Sequence, residues 1–215
     1  MNDAASNVPE DQHATDHDRL DREDMIALAC GESAALDRLM DRHGPGLIRF
    51  LRRMLGSDAD AADLAQESFV RVFQNRDRFD ADRRFATWLF TIGANLARNH
   101  LRSRGRTPAL ESVDEANPHS GLLREIPADS PEPGEALVDD EVRALVRQAV
   151  DELPEEMRSA ILLVDVEDHS VRQTSEILGV PTRTVESRLY HGRRALRARL
   201  SRWLGFRRTG PCPAC

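Results

Sequence analysis

Residues 170–192 read SVRQTSEILGVPTRTVESRLYHG, and they decide how the rest of the chain is interpreted. The stretch has the proportions of a helix-turn-helix, with a short helix over 170–178, a turn at 179–181 and a longer second helix. Gly179 can adopt the left-handed φ that a tight turn needs, and Pro181 presets the start of the next helix. Helical spacing predicts a buried stripe along that second helix, formed by Val185, Leu189, Gly192 and Leu196.

The opposite face of the second helix is polar and rich in arginine. A recognition helix places its N-terminal side chains on base edges and its basic flank on phosphates. Glu186 and Ser187 fit base edges, since a glutamate can accept from a cytosine amino group in the major groove. Four arginines further along the helix fit phosphate contacts: Arg193, Arg194, Arg197 and Arg199. The full candidate face comprises Thr182, Arg183, Glu186, Ser187, Arg188, Tyr190, His191, Arg194 and Arg197. An ordinary helical hairpin would explain Val185 and Leu189 but not this face.

The formal net charge of −7 conceals two strongly basic segments. Residues 83–106 carry six arginines and no acid, and residues 182–208 carry nine arginines against one glutamate. The acids concentrate in residues 1–24, with a net charge of −6, and in residues 107–141, with a net charge of −9. A single basic run is usually a solvated helix face. Two runs on amphipathic helices favour a polyanion that docks at two points.

Helical periodicity of apolar residues covers most of the chain, and no strand alternation competes with it. We predict an all-α fold of two small helical domains, over 23–104 and 137–204. A flexible acidic linker at 105–136, rich in proline, joins them. Residues 1–22 are predicted to be a disordered acidic tail, and residues 205–215 a C-terminal tail.

Four helices are predicted in the first domain. The first is short, over 25–29. The second has Ser33 as its N-cap and is expected to kink or break at Gly44-Pro45-Gly46. Asp58 is expected to cap the third helix, and the fourth is predicted over 84–102.

Composition excludes several classes of protein. No apolar run is long enough for a transmembrane helix or a signal peptide, so a cytoplasmic protein without membrane insertion is expected. No hydrolytic triad, phosphate loop or glycine fingerprint occurs, so neither an enzyme nor a cofactor is predicted. Cys212 and Cys215 have C-x-x-C spacing, which suits half a zinc site or a redox pair, but the other ligands are scattered. A frayed tail is the simpler interpretation.

The fourth helix is apolar at its start and polar and basic at its end. Trp88 and its apolar neighbours fit a core, whereas Asn95, Arg98, Asn99 and Arg102 fall on one side. Basic and amide groups beside a stacking surface can hold an unstacked strand of nucleic acid.

Residues DAADLAQESFVRVF over 60–73 and RFATWLFTIGANLA over 84–97 resemble the second conserved region of sigma-70-family factors. Residues 153–158 and 179–189 resemble the fourth region. The chain is therefore similar to the extracytoplasmic-function (ECF) class of alternative sigma factors, with the match spanning roughly 24–104 and 138–203.

This resemblance implies partners and roles. The helix over 60–73 would dock on the clamp helices of the RNA polymerase β′ subunit through Asp63, Gln66, Glu67 and Arg71, and the second domain would meet the β flap. The segment over 79–99 would melt the −10 element of promoter DNA and capture a flipped base. Its candidate contacts are Phe79, Arg84, Trp88, Asn95, Arg98, Asn99 and Arg102. The helix-turn-helix would read the −35 duplex, and an anti-sigma factor would mask both domains in a stress or envelope response.

Some positions depart from the family pattern, and two rival functions remain. Asp168-His169 replaces a small-apolar stretch. Glu186 stands where Lys or Arg is frequent in the family, and Arg183 stands where Gly is frequent. These departures put the −35 sequence in doubt. A helix-turn-helix regulator that binds operators alone is the main alternative, although the helix over 60–73 argues against it. A cysteine-based metal or redox sensor is a weaker one.

Overall fold

A computed structural model describes the backbone of residues 11–104 and 136–208, and within these ranges every regular element is helical. The first domain contains α1 (Asp11–Ala29), α2 (Ala34–Leu55), α3 (Asp58–Gln74), a 3-10 turn (Arg76–Arg78) and α4 (Phe85–Arg104). The second contains α5 (Ala136–Asp151), α6 (Glu155–Ile161), a π turn (Leu162–Val166), α7 (Val171–Leu178) and α8 (Thr182–Arg208). The all-α prediction is confirmed. No described helix is long and apolar enough to cross a bilayer.

Helix α2 is the centre of the first domain. Its buried side chains include Leu39, Leu47, Phe50 and Leu51, which return to the same side of the helix and meet α3 and α4. Each such side chain stabilises the fold by about 1.5–3 kcal/mol when it is fully removed from water. The first domain is therefore a bundle wrapped around α2.

The predicted break at residues 44–46 is wrong, because α2 runs from Ala34 to Leu55 with Pro45 inside it. Proline lacks the N–H that would bond to the carbonyl of Asp41, and its ring crowds a helical residue that precedes it. Gly44 precedes it here and has no Cβ to meet the ring. The helix can therefore continue through Pro45 with one backbone hydrogen bond lost.

The predicted disordered tail is also wrong over residues 11–22, which form most of α1. Asp21 and Asp24 are buried, at 1% and 7% exposure, because they face basic side chains of α2. Arg42 contacts both carboxylates, Arg38 pairs with Asp24, and His43 lies 2.8 Å from Asp21. Asp21 and Asp24, two residues at the predicted acidic N-terminus, thus anchor α1 to α2.

Two predicted caps differ from the observed ones. The Oγ of Ser57, not the carboxylate of Asp58, accepts a hydrogen bond from the backbone N–H of Asp60 at 3.2 Å and caps α3. Ser33 does stand at the N-cap of α2, but its hydroxyl makes no capping hydrogen bond. Ser57 is in extended backbone geometry, which aims its hydroxyl back at the helix, whereas Ser33 is already helical.

The helix-turn-helix forms as its sequence predicts. Ser170 and Gln173 make a reciprocal capping box at the start of α7, and Gly179 ends that helix with a φ of 66°. At Gly192, α8 lies so close to α6 that an added Cβ would be 2.6 Å from Cδ1 of Ile161. Local sequence therefore sets the turn, and the missing side chain of Gly192 permits the close crossing of α6 and α8.

Other boundaries shift by a few residues or lie outside the described ranges. Helix α4 extends to Arg104 rather than 102, and α8 continues to Arg208, past the predicted domain end at 204. The predicted linker over 105–136 lies outside the described residues except for Ala136, which begins α5. The first ten residues and the C-terminal cysteines at 212 and 215 lie outside them too.

The two domains contact each other through α4 and α7. The ring of His169, just before α7, packs edge-on against Phe90 of α4. Arg49 of α2 pairs with Glu167 at 3.0 Å, and Arg158 of α6 donates to the Met54 carbonyl at 3.3 Å. The buried residues consequently form one continuous cluster across both domains.

Candidate nucleic-acid interface

The second helix of the helix-turn-helix separates its buried and exposed faces as predicted. Val185 and Leu189 are buried at 0% and 4% exposure, Gly192 is buried, and Leu196 is half-buried. Arg188 is half-buried. The other eight candidate residues for duplex reading are exposed: Thr182, Arg183, Glu186, Ser187, Tyr190, His191, Arg194 and Arg197. The fold therefore offers these eight side chains to a ligand.

The arginines of α8 fall into two groups. Arg193 forms a bidentate pair with Asp165, which raises the pKa of Arg193, and Arg199 donates to the Ala149 carbonyl at 3.2 Å. Within the described residues no ion pair holds Arg194 or Arg197. Arg193 and Arg199, which the sequence also suggested for phosphates, are thus engaged inside the domain, and Arg194 and Arg197 are available.

A cavity of about 570 Å³ opens along the exposed face of α8. Glu186, Tyr190, Arg194 and Arg197 line it, together with Val171 of α7. Tyr190 is 63% exposed and packs edge-on against His191, with ring centroids 5.2 Å apart. The surface combines a carboxylate, an aromatic ring and guanidinium groups, which are the chemistries that read base edges and phosphates.

An aromatic cluster supports the loop at residues 79–84 in the first domain. The Phe79 ring lies 5.3 Å from the Trp88 ring and 6.2 Å from the Phe85 ring. Phe85 is buried, whereas Phe79 and Trp88 are half-buried. Arg84 is exposed at the end of the loop and pairs with Asp18 of α1 at 2.8 Å. A half-buried aromatic surface next to a basic side chain can receive an unstacked base.

The polar side of α4 lies as the sequence predicts. Asn95, Asn99 and Arg102 are exposed, and Arg98 is half-buried. Arg98 donates to the side-chain oxygen of Asn95 at 3.0 Å and to the Leu178 carbonyl of α7 at 3.5 Å. The second domain therefore covers part of this surface in the described arrangement.

The α3 candidates occupy one outward face. Asp63, Gln66 and Arg71 are exposed, Glu67 is half-exposed, and Glu67 pairs with Arg71 at 2.8 Å. Two apolar residues of α3, Val70 and Phe73, are 41% and 42% exposed. The Arg76 guanidinium lies 4.6 Å from the Phe73 ring centroid.

Val70 and Phe73 extend the candidate docking face of α3, and their spacing could have revealed them. The buried side of α3 consists of Ala61, Ala65, Ser68, Phe69 and Val72, which fits one helical stripe. Neither Val70 nor Phe73 falls on that stripe. Two apolar residues exposed on the same outward face can form the apolar part of a surface that another protein covers.

In the described part of the chain, no three His, Cys, Asp or Glu side chains are placed to hold a metal ion. Cys30 is an exposed free thiol.

Family models match both domains. The model described as Sigma-70 region 2 matches residues 39–107, and the model described as Sigma-70, region 4 matches residues 143–196. The first includes α3, α4 and the loop at 79–84, and the second includes the helix-turn-helix.

Known proteins similar to the chain cover more than three quarters of it. The "ECF RNA polymerase sigma factor SigW" of Bacillus subtilis is 32% identical over 170 residues, which is 79% of this chain and 91% of that protein. The structure of CnrH in complex with the cytosolic domain of CnrY is similar at a TM-score of 0.62 and 26% identity, covering 85% of this chain and 97% of that one. The sigma factor RpoE from Bartonella quintana, in complex with the anti-sigma factor NepR, shares the fold at a TM-score of 0.58 and 23% identity, covering 77% and 96%.

Proposed function

The chain belongs to the ECF subfamily of the sigma-70 family, and from that membership we propose how its surfaces direct promoter-specific transcription initiation. It is an alternative sigma factor that binds core RNA polymerase and promoter DNA. The single observation that supports the assignment of roles is that one chain holds two different exposed polar surfaces, one on α8 and one on α4 with the loop before it. The α8 face suits a duplex, and the aromatic and basic α4 surface suits an unstacked strand.

Helix α8 reads the −35 element in the major groove. Its first two turns, with Arg183, Glu186 and Ser187, carry the exposed side chains that meet base edges. Arg194 and Arg197, which have no ion pair among the described residues, bind phosphates and fix the register. Arg193 instead stabilises the domain through Asp165.

The loop at 79–84 and α4 take the −10 element. A base that leaves the stack loses a few kcal/mol of stacking and pairing, so the site must supply a surface that replaces those contacts. Phe79 and Trp88 supply the half-buried ring surface, and Arg84 lies at the end of the loop. Asn95, Asn99 and Arg102 continue the polar track along α4.

The outward face of α3 docks on the polymerase. Asp63, Gln66, Glu67 and Arg71 supply polar contacts around Val70 and Phe73, an apolar centre with a polar rim that is typical of protein interfaces. The polymerase supplies the polymerisation chemistry, so the chain itself needs no catalytic group. The protein works where the polymerase and the chromosome are, in the cytoplasm.

Regulation follows from the same surfaces. The RpoE structure from B. quintana contains an anti-sigma factor. We place an anti-sigma factor on this chain as well, where it would cover surfaces used for the polymerase and DNA until a stress or envelope signal releases it.

The test is initiation in a purified system. Core RNA polymerase, with and without the chain, is given a DNA library containing a randomised segment, and the 5′ ends of the transcripts are sequenced. We expect defined start sites only when the chain is present, with two shared elements upstream. Tight binding of duplex DNA by the chain alone, with no initiation, would instead identify a stand-alone helix-turn-helix regulator.

A further inference from the structure

Helix α1 is fixed to the first domain by its own carboxylates. Asp21 and Asp24 are buried, and both are bound by Arg42 of α2. Burial raises the pKa of Asp24, but hydrogen bonds from Arg42 and Arg38 outweigh it and hold that pKa below its usual range. Helix α1 thus has a defined position on α2. The α1 side chains that face the loop at residues 79–84 therefore have defined positions as well.

Those side chains meet the loop at residues 79–84. Asp18 and Arg22 are one helical turn apart, so they lie on the same side of α1. The Nε of Arg22 donates to the backbone carbonyl of Ala81 at 2.8 Å. The Asp18 carboxylate pairs with Arg84 at 2.8 Å, and burial raises the pKa of Asp18 while Arg84 lowers it. One contact fixes the middle of the loop and the other fixes its end.

The opposite side of the loop rests on the aromatic cluster, through Phe79. Between these supports, the loop's hydrogen bonds within the described part of the chain are to itself and its sequence neighbours, for example from the Asp82 N–H to the Asp80 carboxylate at 3.0 Å. A loop of this kind has many alternative conformations, and a base pocket needs its walls held to within about 0.5 Å. Contacts from a rigid helix meet that requirement.

We propose that Arg22 and Asp18 are positioning residues for −10 recognition, acting through the loop at 79–84. Arg22 holds the Ala81 carbonyl and so sets the backbone that forms the pocket wall. Asp18 holds the Arg84 guanidinium in one direction, so that Arg84 meets a strand only in the correct register. This inference rests on the proposed function of the loop and adds a segment, residues 18–22, to which no base-reading role was assigned.

If Arg22 had a purely structural role, replacing it would lower the stability of the fold and leave base discrimination unchanged. Arg22 is exposed, and a hydrogen bond or ion pair at the surface adds little to stability. Its loss would leave the fold and the polymerase-docking face unchanged. What it would change is the accuracy with which the loop discriminates between bases.

The experiment compares Arg22→Met with Arg19→Met in the complete chain bound to core polymerase. Both changes remove a guanidinium from the exposed side of α1 and keep an unbranched stem. Among the described residues, Arg19 pairs with Glu23 at 2.8 Å and makes no hydrogen bond or ion pair to the loop, so it is the matched control. The probe is fork-junction DNA with a single-stranded −10 segment, using the −10 sequence selected by the wild-type chain and each single-base change of it.

We expect Arg22→Met to lower the preference for the selected −10 sequence roughly fivefold, with unchanged core binding and melting temperature. Arg22→Lys retains a donor and should restore most of the preference. Asp18→Asn should raise affinity for all the fork junctions and lower discrimination, because Arg84 is released, whereas Asp16→Asn on the same helix should not.

The inference is overturned if Arg22→Met keeps full −10 preference, or if Arg19→Met loses as much. These outcomes are distinct from failure of the proposed function, in which the wild-type chain itself gives no start sites with core polymerase.

Discussion

The imidazole of His169 lies edge-on against the ring of Phe90, with the two ring centroids 4.7 Å apart. His169 precedes the helix-turn-helix in the second domain, and Phe90 lies on α4 of the first. His169 is 7% exposed, and its Nε2 has no hydrogen-bond partner within the described residues. An imidazole in this position is neutral, because burial, His43 and Arg84 lower the pKa of His169 to about 4.

The packing of the two domains should therefore weaken at acidic pH. The pKa of His169 is lower when the domains are packed than its ordinary value of 6.5, so packing is fully stable above pH 6.5 and loses stability as the pH falls toward 4. The loss is on the order of 1 kcal/mol near pH 5.5. Energy transfer between one fluorescent label on each domain would report the separation.

His169→Phe keeps a ring against Phe90 and removes the titration, so it should flatten the pH dependence. His191→Phe, an exposed position in the same domain, should leave it unchanged. Titration of Glu167 has the opposite effect on domain packing from that of His169, because burial raises the pKa of the Glu167 carboxyl despite the nearby Arg49. Its titration offsets part of the effect as the pH falls through that raised pKa, so the first weakening of the packing below pH 6.5 is the clearest signal. Equal pH dependence in His169→Phe and the wild type would contradict the prediction.

Arg42→Met should destabilise the first domain by about 3 kcal/mol, because it removes a partner from two buried carboxylates. Arg42 is largely buried and contacts both Asp21 and Asp24. The lowered pKa of Asp24 adds stability above its ordinary value of 3.8, which is lost as pH falls through the lowered pKa. Urea unfolding at neutral pH measures the change.

The control for this prediction is Arg38→Met, because the Arg38 side chain is 45% exposed and contacts only one of the two buried acids. Arg38→Met should lower the free energy of unfolding clearly less than Arg42→Met does. Equal losses of stability from both variants would mean that burial of the Arg42 ion pairs does not determine how much they add to the free energy of unfolding.

Gly192→Ala should destabilise the second domain by about 1 kcal/mol. Alanine gains about 1 kcal/mol of helix propensity, but overpacking costs about 1–3 kcal/mol. The clash is with Cδ1 of Ile161, which is 2% exposed. Ile161→Val removes that methyl group, so thermal unfolding of the double variant should show a favourable coupling between the two changes. If the effects of the two changes are strictly additive, the strain does not lie at the contact between position 192 and Ile161.

The helix-turn-helix could be predicted because short-range chemistry determines it. Ser170, Gln173 and Gly179 cap α7 with contacts that span five residues or fewer. The periodicity of α8 then places its buried stripe without any tertiary information. The outward face of α8 follows directly, so the candidate −35 residues could be identified from the sequence.

The remaining features depend on partners that are distant in sequence. Asp21 and Asp24 become buried only because Arg38, Arg42 and His43 are arranged along another helix, so composition alone predicts a tail. The contact between His169 and Phe90 joins residues in different domains, and no local pattern indicates it. Arg193 likewise resembles a phosphate ligand until Asp165 is placed beside it.

Glu186 should determine the −35 preference rather than the strength of binding. It lies in the first turns of α8, is exposed, and no ion pair holds it within the described residues. The available arginines, Arg194 and Arg197, lie two to three turns further along the helix. A carboxylate at this position repels phosphates and can accept a hydrogen bond from a cytosine amino group, with about 1–3 kcal/mol of discrimination for a good base contact.

Glu186→Lys adds a positive charge where bases are read. We expect higher affinity for any duplex, a salt dependence steeper by about one phosphate contact, and a different preferred −35 sequence when start sites are mapped with core polymerase. Glu176→Lys makes the same charge change on α7, where Glu176 lies 3.6 Å from Arg172, and should alter affinity without altering the preferred sequence. If both variants select the wild-type −35 sequence, Glu186 belongs to a solvated helix face, and the bases are read by Arg183, Ser187 and their neighbours alone.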